Sequence, residues 1–368
     1  MPRLIPALIV SALLAGCAEE PPQGRTPYAP TSAMLQVLAE RVAMHAKEPP
    51  HVSLQEARDV PSVTDAAQAI PNVAGLPAVA IEVKQFTQPP TNGVDAPISA
   101  WLYRPALAKD TPVILYFPSG TWATRSDIAA DETSRQLATR TGWVVVTLLP
   151  PLAPEAKFPE VHDAAMVAYL WARSQLRTWG ADPTRVVLAG EGPGANLALS
   201  TALLARDSSV AGRPVSLPDA LLLITPWAGT STSTPSMSEN GGSQPLKRAT
   251  VRWADHLYAS GHLDDPRIDL TARTDFAQMP PTTFILAEMD PLRSGAETVA
   301  ARMSAAGVPT DVRLYRGVTY DFFGLGAYVP EAAAAEDAAV GRMRATLARL
   351  DLPPPAPARR VSRSRARR

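Results

Sequence analysis

Val186-Val187-Leu188-Ala189-Gly190-Glu191-Gly192-Pro193-Gly194-Ala195-Asn196-Leu197-Ala198 is the stretch from which the rest of the chain can be read. A short β-branched, apolar run enters a tight glycine-rich turn, and an alanine- and leucine-rich run follows. Strand, turn and helix in that order reproduce the frame G-x-S-x-G of a nucleophile elbow, which lifts a strained central residue off the end of a strand. The central position here is Gly192. It has no side chain, so it cannot attack a carbonyl.

Outward from this turn the chain alternates between short apolar runs and helical patterns. Strands are expected near Val79–Phe86, Pro97–Tyr103, Pro112–Phe117, Trp143–Leu149, Arg185–Gly190, Ala220–Thr225, Thr283–Glu288 and Asp311–Tyr315. Helices are expected over 159–179, with Val167, Leu170 and Trp171 on one face, and near 293–306 and 331–349. Residues 32–70 begin helical, with Met34, Leu35, Leu38 and Val42 at helical spacing. Repeated strand–helix alternation predicts an α/β protein whose parallel sheet is covered on both faces. Residues 229–244, rich in Ser, Thr, Gly and Asn, read as a mobile loop over the C-terminal edge of the sheet.

The 368 residues are 46% hydrophobic and carry no formal net charge, so a general polyanion-binding role has no support and nucleic acid is an unexpected partner. The start of the chain reads as an export signal. Met1-Pro2-Arg3 is basic, Leu4 to Leu14 is apolar, and Leu14-Ala15-Gly16-Cys17 resembles a bacterial lipobox. The expected organisation is a signal peptide over 1–16, removed so that a lipidated Cys17 becomes the N-terminus, and a proline-rich tether over 17–31. Ala18 favours the outer membrane, with the protein facing the periplasm. Cys17 is the sole cysteine, so no internal disulfide can form. At the other end, residues 351–368 hold a proline run and then Arg359, Arg360, Arg363, Arg365, Arg367 and Arg368, with no acid after Asp351. That tail is expected to be disordered, with anionic envelope phosphates as its candidate partner.

From about residue 32 to 350 the chain resembles the hormone-sensitive-lipase-like carboxylesterases. The segments carrying the resemblance are WGADPTRVVLAG over 179–190, LAPEAKFPEVHDA over 152–164, LLLITPW over 221–227, DDPRIDL over 264–270 and the whole of 280–324. The resemblance implies an α/β-hydrolase fold, with a mostly parallel central sheet, helices on both faces and a small helical cap. Residues 32–75 and parts of 229–265 would supply the cap.

It also implies a serine–histidine–aspartate site, and most of that site is missing. The serine falls on Gly192. The histidine falls on Tyr320 in Gly317-Val318-Thr319-Tyr320, and a phenol with a pKa near 10 cannot serve as a base at neutral pH. The residue after the nucleophile, whose N–H would bind the oxyanion, is Pro193, which has none. The family's oxyanion loop falls on Pro118-Ser119-Gly120-Thr121, followed by Trp122, and keeps only Gly120 of its glycines. Asp290 matches the triad acid and is vestigial without a histidine to orient. None of the five histidines follows the last strand; His162 and His256 read as packing or surface residues. No cofactor or metal is implied.

Three functions are compatible with these residues. The first is an inactive hydrolase-fold envelope lipoprotein that binds a small or acyl-bearing ligand or a protein partner. The second is an active ester hydrolase with a relocated nucleophile, for which Ser119, Thr121 and Thr319 are candidates. The third is a structural lipoprotein whose pocket is filled by Trp122, Tyr320 and Phe322.

Overall fold

The computed structural model describes residues 29–47, 49, 51–71, 81–88, 98–212 and 214–350. Cys17, the signal sequence, most of the tether and the arginine tail lie outside the described residues. So do the first residues of the expected strand from Val79.

Eight strands form one sheet: β1 (Ile81–Gln88), β2 (Ile98–Pro105), β3 (Thr111–Phe117), β4 (Val144–Leu149), β5 (Ala181–Glu191), β6 (Ala220–Ile224), β7 (Thr282–Met289) and β8 (Thr310–Thr319). Their order is β1-β2-β4-β3-β5-β6-β7-β8. β1 pairs antiparallel with β2, β2 antiparallel with β4, and every later pair is parallel. Parallel pairing demands a crossover for each strand. The helices α4 (Asp127–Thr141), α5 (Glu160–Gln175), α6 (Pro193–Val210), α9 (Arg293–Ala305) and α10 (Pro330–Leu350) belong to these connections or follow the last strand.

Side-chain alternation along each strand sorts the core into two layers. Val113, Leu115, Val186, Leu188, Leu221, Leu223, Phe284 and Leu286 face one layer, with α5, α6 and α9. Ile114, Tyr116, Val187, Ala189, Leu222, Ile224 and Ile285 face the other, with α4 and α10. Both faces are therefore apolar, which is why the central strands read as unbroken hydrophobic runs.

The N-terminal region forms α1 (Ser32–Ala43), α2 (Leu54–Arg58) and α3 (Val63–Ala69). Thr31 caps α1, and Ser53 and Ser62 close capping boxes with Glu56 and Asp65. The buried face of α1 is Met34, Val37 and Arg41, whereas Leu35 and Val42 point outward. Helical spacing located this helix but not its inward face.

The same correction holds in α5. Val167 and Trp171 are half-buried against the core, but Leu170 is exposed, and the fully buried face is built on Ala164, Ala165, Ala168, Tyr169 and Ala172. Small side chains let α5 approach α6 closely, so the larger apolar residues are displaced to the rim. Residues 229–244 are not a bare loop. They contain α7 (Pro235–Asn240), capped by Thr234 and anchored by buried Ser236, Met237 and Asn240. Asn240 donates to Glu288 O and Ser236 to Pro291 O, which ties α7 to the end of β7. A further helix, α8 (Arg248–Ala259), follows.

Candidate functional site

Gly192, Ser119, Asp290 and Tyr320 each lie just past the C-terminal end of a parallel strand: β5, β3, β7 and β8. Ligand sites of open α/β sheets gather at these ends, because the turns there converge while the sheet holds them rigid.

The elbow keeps its shape. Gly192 has φ 55° and ψ −122°, a strained conformation for any residue with a side chain. Its N–H donates to Ile224 O at 3.0 Å, and its carbonyl accepts from Trp227 N at 3.0 Å. Pro193 opens α6 at a position where a missing N–H costs no helical bond. The backbone thus remains an elbow, and glycine holds it at lower strain than serine would.

Tyr320 occupies the space that the nucleophile would use. A Cβ on residue 192 would lie 2.9 Å from Tyr320 Cζ, nearer still to its hydroxyl, and 3.3 Å from Ser119 Oγ. The Tyr320 hydroxyl donates to Gly120 O at 2.7 Å. Gly120 itself has φ 134°, and a Cβ there would strike Thr124 O, so the one surviving loop glycine is required. Burial, reinforced by the charges of Asp321 and Asp290, pushes the Tyr320 phenol well above its ordinary pKa. It is a neutral donor and neither base nor nucleophile.

Asp290 is buried, and its Oδ1 accepts from Leu292 N at 2.8 Å. Burial pushes its carboxyl up to about 8. No histidine faces it. The turn carrying Tyr320 is fixed to β7 through Gly317 N, which donates to Glu288 Oε2 at 2.7 Å.

Sequence reasoning did not single out the strongest polar feature of the site. Ser119 Oγ donates to Asp321 Oδ1 in a short hydrogen bond between residues 202 positions apart. Asp321 has φ 62°, a left-handed conformation uncommon for a residue with a side chain. Desolvation raises its carboxyl to about 7, partly offset by the Ser119 bond and the charge of Arg41. Behind it lies buried Glu191, which accepts from Tyr116 Oη at 3.0 Å and is pushed upward by burial and by Asp321. The available sequence signal was adjacency: Asp321 follows Tyr320, and Glu191 precedes Gly192.

A cavity of about 450 Å³ opens over this cluster, bounded by α1–α3 and by Ser119, Thr121, Tyr320 and Asp321. Beside it, Phe117, Trp122, Val161, Pro193 and Leu197 form an apolar crevice of about 30 Å³ that also reaches Ser119. Trp122 does not fill the larger space; it stacks on Tyr258 with centroids 4.2 Å apart. Phe322 packs in the opposite core layer. Thr319 is buried with its hydroxyl toward Met34 Sδ at 3.8 Å, which removes it as a candidate nucleophile. Thr121 lines the cavity, but its hydroxyl accepts from Ala123 N and Thr124 N and serves the turn.

His162 is a core residue. Nδ1 faces Tyr258 Oη at 2.5 Å, and Nε2 faces Asn196 Oδ1 and Arg267 O, both at 3.1 Å. Two acceptors at Nε2 place the proton there, so Nδ1 accepts from the tyrosine. Burial holds the neutral ring by lowering its pKa to about 4. His256 is exposed on α8.

A family model described as the α/β-hydrolase fold matches residues 114–324, more than half of the chain. The chain is 29% identical over 238 residues to an ethyl acetate hydrolase of Pseudomonas putida, covering 63% of this chain and 73% of that protein. It is 30% identical over 263 residues to Esterase LipI of Mycobacterium tuberculosis, covering 70% and 80% respectively. Among solved structures, a hyperthermophilic esterase from Pyrobaculum calidifontis superimposes with a TM-score of 0.76 at 26% identity, covering 86% of this chain and 99% of that one.

Proposed function

The chain belongs to the α/β-hydrolase fold family, and from that premise we propose that it is a carboxylesterase-like lipoprotein of the bacterial envelope that binds a small or acyl-bearing ligand without hydrolysing esters. One observation carries this reading. The Tyr320 side chain occupies the space of the nucleophile, so the lost serine and the lost histidine are a single steric change rather than two independent lesions. Removal of a triad nucleophile or base lowers turnover by on the order of 10⁴- to 10⁶-fold. Loss of the Pro193 donor adds to that deficit.

The cavity of about 450 Å³ supports ligand binding over a filled pocket. Volumes of this size suit small organic ligands, and its wall mixes apolar surface with many polar and charged groups, among them Arg41, Arg58, Arg125, Asp59 and Asp321. Attachment rests on the sequence. The lipobox ending at Cys17 supports a lipid anchor, Ala18 supports the outer membrane, and the arginine tail supports contact with anionic envelope phosphates. No described helix is long and apolar enough to cross a membrane.

The test is steady-state turnover of an aryl acetate by protein freed of contaminating esterases, together with thermal melts against a panel of small esters, ketones and fatty acids. The reading expects background turnover and ligand-dependent stabilisation. Sustained turnover by the wild-type protein would refute it.

A further inference from the structure

We propose that Ser119 is an acyl acceptor: an activated short-chain ester bound in the cavity transfers its acyl group to Ser119 Oγ, Asp321 takes the hydroxyl proton, and the acylated protein then stalls. This rests on the reading that the cavity admits acyl-bearing ligands, and it assigns the residue that touches the acyl carbon.

Four observations converge on Ser119. Its hydroxyl is already hydrogen-bonded to a carboxylate, the arrangement by which a weak nucleophile is activated. It lies 3.3 Å from the point where a side chain at the elbow would begin, so it serves the same space as the missing nucleophile. It stands where the larger cavity meets the apolar crevice. The crevice, about 30 Å³ and walled by Phe117, Trp122, Val161, Pro193 and Leu197, has room for a methyl or acetyl group and little more. The leaving group would lie in the larger cavity. Finally, Asp321 is held in a left-handed conformation at the cavity floor, and such outliers gather at working sites.

The step balances. Ser119 Oγ forms a bond to the ester carbonyl carbon while its proton passes to Asp321 Oδ1. The tetrahedral adduct collapses, the bond to the aryl oxygen breaks, and the aryl oxide leaves with the proton returned by Asp321. One ester and one serine hydroxyl become one acyl-serine and one phenol. Hydrolysis of the acyl-serine is the harder step, even with Asp321 beside it. Its alkoxide is a far poorer leaving group, Pro193 offers no N–H to the oxyanion, and the Tyr320 hydroxyl is committed to Gly120 O. A missing donor costs about 10²- to 10³-fold and weighs most on the harder step.

The experiment incubates the purified full-length protein with para-nitrophenyl acetate, following phenol release, intact mass and the modified peptide. Thermal melts with para-nitrophenylacetone, an unreactive isostere, report binding separately. The expected result is a burst of at most one equivalent, one acetyl group on Ser119, none in Ser119→Ala, and acylation slowed about 10²-fold in Asp321→Asn with the ketone's stabilisation retained. Asparagine can still accept the Ser119 hydrogen bond, so a purely structural Asp321 would leave the rate unchanged, and that result overturns the assigned proton acceptor. Stabilisation by the ketone without acetyl on Ser119 overturns the acceptor and leaves the ligand-binding reading intact. Neither stabilisation nor labelling overturns both.

Discussion

The phenol of Tyr320 lies against Gly192 so closely that a Cβ on residue 192 would stand 2.9 Å from Tyr320 Cζ, inside the contact limit of any two carbons. The tyrosine at the end of β8 thus excludes a side chain from the elbow at the end of β5, 128 positions earlier in the chain.

Gly192→Ser alone is therefore expected to destabilise the protein and to leave it inactive. Adding Tyr320→His should recover most of that loss, with a coupling of about 2 kcal/mol in a double-mutant cycle. Equilibrium denaturation of both single variants and the pair measures it. A Gly192→Ser protein as stable as wild type would disprove the steric coupling. The triple variant Gly192→Ser, Pro193→Ala, Tyr320→His regains hydroxyl, N–H and imidazole around Asp290, and should hydrolyse aryl acetates measurably above the double variant.

Asp290 is buried, and burial raises its carboxyl to about 8. The folded state then binds its proton more tightly than the unfolded chain. The contribution is fully present below the unfolded pKa near 4 and is lost as pH rises toward 8. Asp290→Asn keeps an acceptor for Leu292 N and removes this liability. It should stabilise the protein at pH 8 by on the order of 1 kcal/mol, with no gain at pH 4. Thermal melts at both pH values test it; a variant less stable at pH 8 than at pH 4, relative to wild type, contradicts the assignment.

His162 works in the opposite direction. Its folded pKa is depressed to about 4 from 6.5, so its contribution is present above 6.5 and is lost as pH falls toward 4. His162→Ala breaks the links to Tyr258, Asn196 and Arg267, and should cost about 2–4 kcal/mol at neutral pH, less at pH 4. Acylation of Ser119 should survive in the folded fraction. A stability loss that does not shrink with acid would rule out a ring held neutral by burial.

Membrane-extracted protein should begin at Cys17 and carry acyl chains there, with residues 1–16 removed. Peptide mass spectrometry decides it. A Cys17 unmodified and still joined to Gly16 would be incompatible with the anchor.

The sequence by itself determined what is chemically absent. That residue 192 has no hydroxyl, residue 193 no N–H and residue 320 no imidazole follows from covalent identity once the strand–turn–helix frame has been placed, and that frame is local. The alternation of apolar runs and helices was legible for the same reason, since periodicity is a property of neighbouring residues. Tertiary structure alone decided what took the place of the lost groups. The Ser119–Asp321 bond joins residues 202 positions apart, and Asp321 raises the Glu191 carboxyl because β5 and β8 end at one edge of the sheet. The inward faces of α1 and α5 were also set from outside the helices: Arg41 and the alanines of α5 are buried because their neighbours demand a polar contact or a close approach. Long-range contact fixes such choices, and no spacing along the chain records it.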